Sequence, residues 1–218
     1  MAAFFANLRN TVIAGIVLAV ILSLIYWLNP NLYDTQQFWR FLFRWLHVIS
    51  GVMWIGLLWY FNFVSTPTMP KIPAELKPAL GRFITPAALW WFRWGAMFTL
   101  IFGLLLAWSN GGDWSPSDYL LPVLTFDAYD HAGSFSNHAY INMGIGAWLA
   151  IIMWFNVWFV IWPNQQKALN IDNAWPDLAQ PQKDAAAKAA GMFSRINTML
   201  SIPMLFCMVA TAHLYGAI

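Results

Sequence analysis

Residues 40–62 read RFLFRWLHVISGVMWIGLLWYFN, and the rest of the chain is organised around them. The stretch is long and apolar enough to cross a bilayer, which takes about 20 residues. A polar line nonetheless runs along it. Arg40, Arg44, His47, Gly51 and Trp54 follow one another at steps of four, three, four and three, which places all five on one helical face. Asn62 falls close to the same face two turns further on. Ionisable groups at membrane depth are costly and turn toward a bundle interior or a water-filled cavity. Other helices, and any cofactor or substrate, are therefore expected on this face.

Composition extends that reading to the whole chain. Its 218 residues are 60% hydrophobic and only 9% charged, with a mean hydropathy of +0.55. Soluble domains carry about 25% charge, so the composition specifies an integral membrane protein. A net charge of +2 is too small to suggest nucleic-acid binding. Fifteen Trp and seven Tyr supply anchors for the membrane interface. The single cysteine, Cys207, excludes an internal disulfide, and no Cys-x-x-Cys-His occurs for covalent haem attachment. Arg9 precedes an apolar run that is too long for a signal-peptide core and lacks a small-residue cleavage site, so that run reads as a retained helix.

Five apolar segments predict an all-α bundle of five transmembrane helices, at about 11–28, 38–64, 87–108, 137–162 and 192–215, in one membrane domain spanning 1–218. Prolines punctuate them: Pro67 and Pro70 are expected to close the second, Pro86 to open the third and Pro163 to stop the fourth. A short surface helix is expected around 75–83, an Ala- and Lys-rich one at 180–190, and a kink at Pro203. Residues 110–136 read as a loop carrying Asp113, Asp118, Asp127, Asp130 and His131 without a Lys or Arg. Basic residues fall on the opposite side: Arg9, Lys71, Lys77, Arg82, Lys167, Lys183, Lys188 and Arg195. By the positive-inside bias the N-terminus is cytoplasmic and the C-terminus outside. A multi-pass protein of a bacterial inner membrane is expected.

All four histidines then fall on the outer half: His47, His131, His138 and His213. Two neutral imidazoles from facing helices at similar depth are a common way to hold b-type haem in a bundle. His47 with His213 is the expected pair, with His138 as substitute. Interhelical hydrogen bonding is the plainer alternative for each. Arg40 and Arg44 either snorkel to lipid phosphates or pair with haem propionates or an anionic substrate. A helical line of His138, Asn142, Gly146, Leu149, Met153 and Asn156 marks the fourth span, and Gly144, Gly146 and Ala147 there permit close helix approach.

Residues 47–64 (HVISGVMWIGLLWYFNFV), 88–96 (ALWWFRWGA), 152–163 (IMWFNVWFVIWP) and 194–206 (SRINTMLSIPMLF) resemble, in order, the membrane domain of bacterial cytochrome c-linked urate hydroxylases, also called urate oxidases. The His-to-Trp-Ile-Gly part is also loosely similar to a haem-binding membrane oxidase of porphyrin synthesis. The resemblance implies hydroxylation of urate to 5-hydroxyisourate, with oxygen from water and electrons passing to a cytochrome c domain fused after the membrane part. Here the sequence stops at Ile218, so a separate periplasmic cytochrome c is the expected partner.

Two functions follow as expectations. In the first, an oxidoreductase binds urate or a similar planar anion near Arg40, Arg44 and His47, with Trp54 stacking on it and His47 acting as haem ligand or general base. In the second, the chain is a non-catalytic subunit, haem-binding or not, of a respiratory or other membrane redox complex. Its acidic outer loop would then dock a basic cytochrome c. A transporter is disfavoured, because neither repeats nor broken helices are evident.

Overall fold

The computed structural model describes residues 2–28, 34–128 and 138–215. Among these residues the chain is helical without strands. Five helices are long and apolar enough to cross a membrane: α1 (Leu8–Trp27), α2 (Thr35–Lys71), α3 (Lys77–Ser109), α5 (His138–Leu169) and α6 (Gln180–His213). A short helix, α4 (Leu120–Leu124), lies between α3 and α5. His131 and Asp130 lie outside the described residues.

The chain divides into two compact units, Met1–Leu42 and Phe43–Ile218. In the first, the Asn7 side chain caps α1 by accepting from the backbone N–H groups of Arg9 and Asn10. No residue of α1 is buried. Edge-on aromatic contacts join its end to the start of α2, with Trp27 and Phe38 centroids 4.8 Å apart and Tyr26 and Phe41 6.4 Å apart.

In the second unit the remainder of α2 packs with α3, α5 and α6 around one core. Trp54, Ile55 and Leu58 of α2 meet Leu89, Phe92 and Ala96 of α3, Met153, Val157 and Ile161 of α5, and Ala190 and Met204 of α6. Small residues set the spacing. A side chain on Gly95 would begin 3.2 Å from the Trp54 backbone nitrogen, and one on Gly146 only 2.9 Å from Cys207 Cβ.

The prolines do not end their helices as the sequence predicts. Residues Tyr60–Ser65, Leu80–Ile84 and Asn156–Ile161 are π-helical, and each run stops two residues before a proline: Pro67, Pro86 and Pro163. An α-helical proline lacks its N–H and drives its ring into the carbonyl four residues back. Here the residue before each proline instead donates five residues back: Thr66 to Phe61, Thr85 to Leu80 and Trp162 to Val157. The widened turn gives the ring room, so α2 continues to Lys71, α3 starts at Lys77 and α5 runs on to Leu169. Likewise the Ala- and Lys-rich stretch and the fifth span form one helix with Pro203 inside it.

The α6 helix carries the bundle's polar seam. Asn197, fully buried, accepts from Asn156 Nδ2 at 2.8 Å and donates to the Met153 carbonyl at 2.9 Å. Trp59 Nε1 donates to Ser201 Oγ, Asn62 Nδ2 to Ser194 Oγ, and Asn142 Nδ2 to both the Cys207 carbonyl and Thr211 Oγ1. Water cannot satisfy such groups inside hydrocarbon, so each bond fixes one helix against another.

Candidate functional site

His47 is held by α3. Its Nδ1 lies 2.9 Å from the Thr99 carbonyl oxygen, while Thr99 Oγ1 donates one turn back to Gly95. A carbonyl only accepts, so Nδ1 carries the hydrogen and a neutral ring keeps its lone pair on Nε2. Metal-ligating histidines are oriented by this same kind of bond. Gly103 makes the approach possible, because a Cβ there would sit 3.0 Å from the imidazole. On this observation His47 fits a haem-iron ligand, and equally a proton acceptor.

The bundle's hydrogen bonds also fix the depth of His213. Pairing of Trp59 with Ser201 and of Asn62 with Ser194 sets α2 and α6 antiparallel. His47 lies twelve residues before Trp59, and His213 twelve residues after Ser201. Both are therefore displaced the same way from the shared contact, by about 18 Å at 1.5 Å per residue. His213 is exposed at the end of α6, and His138, also exposed, begins α5. Among the described residues no three His, Cys, Asp or Glu side chains converge on a metal position.

The other candidates divide. Arg44 is exposed, and its charge acts on Tyr119, a buried phenol 5.6 Å from Tyr140 between ring centroids. Burial first, and then Tyr140, push Tyr119 up to about 12, against the opposing pull of Arg44. Arg40 belongs to the first unit and is half-buried. Trp54 is 1% exposed, with an indole N–H that finds no partner. Protein walls the ring on all sides, so it offers no open face to a planar ligand.

The segment between α3 and α5 is more structured than the open loop the sequence predicts. Helix α4 lies against α5: Trp148 Nε1 donates to the Leu124 carbonyl, and a Cβ on Gly144 would collide with the Val123 carbonyl oxygen. These contacts lie six and ten residues into α5, so α4 is folded back along it by about 9–15 Å. Asp127, at the end of this segment, is fully buried. The expectation of an exposed acidic surface thus holds for Asp113 and Asp118 and is corrected for Asp127.

Residues 116–217 match the family model described as urate oxidase N-terminal. That match supports a urate oxidase-related family. No curated protein and no solved structure matches the chain. The family match takes in α4, α5 and all of α6, with His138, His213, Asn142, Asn156 and Asn197; it leaves out Arg40, Arg44, His47 and Trp54.

Two features escaped the sequence reading. Tyr119 and Asp127 become buried only because α4 folds back, which no local pattern announces. The seam of Ser194, Asn197 and Ser201 did leave a signal, polar residues three and four apart within an apolar helix. The Arg93 guanidinium lies 3.8 Å from the Trp162 ring centre and 5.1 Å from that of Trp158, a cation held by aromatic faces.

Proposed function

We propose that this chain is the membrane-embedded part of a redox system that oxidises urate or a similar planar anion, in a bacterial inner membrane. The observation that carries the chemistry is the Thr99-anchored His47, whose Nε2 lone pair is free to ligate iron or accept a proton. The substrate class rests on the family match. In this reading urate takes oxygen from water to become 5-hydroxyisourate, releasing two protons and two electrons to two oxidised molecules of cytochrome c. Bound b-type haem would supply one-electron transfer, held by His47 with His213, His138 being the substitute. Arg44 offers its charge to the anion or to a propionate. Asp113 and Asp118 supply the exposed negative charge for the cytochrome c partner.

Orientation follows from charge. In the second unit, Lys71, Lys77, Lys167, Lys183, Lys188 and Arg195 gather at the end opposite Asp113 and Asp118, and the positive-inside bias supports a cytoplasmic basic end. In this reading the N-terminus is inside and the C-terminus outside.

A reduced-minus-oxidised optical spectrum of the purified chain tests the proposal. A b-type haem signal is expected, lost in His47→Ala while helical content persists, together with urate-dependent reduction of added cytochrome c. A protein that turns urate over without iron porphyrin would remove the haem. A second reading, a non-catalytic subunit of a membrane redox complex, is favoured by the absence of Arg44 and His47 from the matched residues. It expects stable complex assembly and no urate turnover.

A further inference from the structure

We propose that an open groove beside α6 binds an anionic phospholipid of the surrounding membrane. The groove has a volume of about 660 Å³ and runs from Thr66, near the end of α2, along Lys188, Gly191, Met192, Arg195 and Met199 of α6. That volume lies within the roughly 300–1,000 Å³ of ordinary ligand sites. The inference rests on the reading that α6 crosses a membrane.

Three observations select the ligand. The first is charge. Lys188 and Arg195 are exposed on one side of the helix, seven residues apart, and no carboxylate lines the groove. The nearest acid on the helix, Asp184, accepts a hydrogen bond from Gln180 at 2.8 Å. Neither cation has a hydrogen bond or ion pair with a described residue. The second is the apolar lining. Met192 and Met199 are 54% and 62% exposed, which is costly in water and suits acyl chains. The third is level. From Gly191 to His213 the only Lys, Arg, Asp or Glu is Arg195, so the groove straddles the point where α6 turns from polar to apolar. Lipid phosphates sit at that border, and basic pockets between helices there recognise anionic headgroups.

Gly191 supplies a clean probe. A Cβ built on it meets nothing within 4 Å, so the space above it belongs to the groove and not to packing. Gly191→Leu should fill the groove and leave both charges and the fold in place.

The test is native mass spectrometry and thermal unfolding of the detergent-purified full chain with phosphatidylglycerol, phosphatidylcholine or inorganic phosphate. Phosphatidylglycerol should be retained about twenty-five-fold more strongly than phosphatidylcholine, since each of the two cations near the lipid surface is worth about a factor of five. Inorganic phosphate should not compete. The double variant Lys188→Gln, Arg195→Gln should erase the preference, and Gly191→Leu should weaken lipid retention with unchanged circular dichroism. Equal retention of the two lipids, displacement by phosphate, or an indifferent Gly191→Leu would each overturn the proposal. Reconstitution into vesicles separates this from the membrane reading. A chain washed off by alkaline carbonate refutes the membrane reading and the groove together. One that stays embedded without lipid preference refutes the groove alone.

Discussion

Helix α1 is the more apolar of the two and buries none of its residues, whereas α6 is less apolar and buries eight. Asn197, Ser201 and Thr211 are among those eight, and Ala186, Ala190 and Ala210 are small. The less apolar helix is thus the one at the centre of its unit. In a bilayer, hydrocarbon outside is as apolar as a leucine core inside, so greasiness does not sort a helix inward. Close approach and interhelical hydrogen bonds do.

Substitutions at the α5–α6 contact should expose that contrast most. Gly146→Leu has no room beside Cys207 and should cost about 2–3 kcal/mol, seen as a lower thermal midpoint in detergent. Asn197→Leu leaves the Asn156 amide and the Met153 carbonyl without their partner, and a loss of about 1–2 kcal/mol is expected. High pH gives a related test at Tyr119. Its folded pKa, about 12, stands above the ordinary value near 10. Burial therefore stabilises the protonated form, and the associated stability is complete below pH 10 and lost as pH rises through 12. Ultraviolet titration should find one tyrosine ionising near pH 12 in the folded protein, and Tyr119→Phe should flatten stability across that interval. Ser201→Ala removes the acceptor for Trp59 and should cost about 1 kcal/mol. The smallest effect belongs to α1, where Ile16→Ala should shift stability by less than about 0.5 kcal/mol. A large loss there would mean that α1 is packed and would dissolve the contrast.

The five apolar helices were legible because each carries an unbroken run near bilayer length. Their ends were not. Pro67, Pro86 and Pro163 read locally as boundaries, and only the hydrogen bonds show the backbone passing them. On α5 the line of Asn142, Gly146, Met153 and Asn156 was legible as a face, and that face meets α6. His47 was marked out by its position among apolar neighbours. Its anchor, the Thr99 carbonyl, was hidden, since a backbone group on another helix leaves no mark in composition. Asp127 looked solvated because its segment is acidic, and its burial follows from a fold-back that sequence alone does not encode locally.

A helix can be thought of as having a reading frame, and each π turn is a frameshift. One extra residue enters the turn, so the faces above and below are out of step by about 100° relative to a plain α-helix. Deleting a single residue from 60–65 would restore the ordinary frame and rotate everything beyond it. It would also return the Pro67 ring to the carbonyl of an α-helical turn. Such a deletion becomes tolerable only if the proline goes with it, so in the chain's history the insertion and its proline should be gained and lost as a pair, three times over.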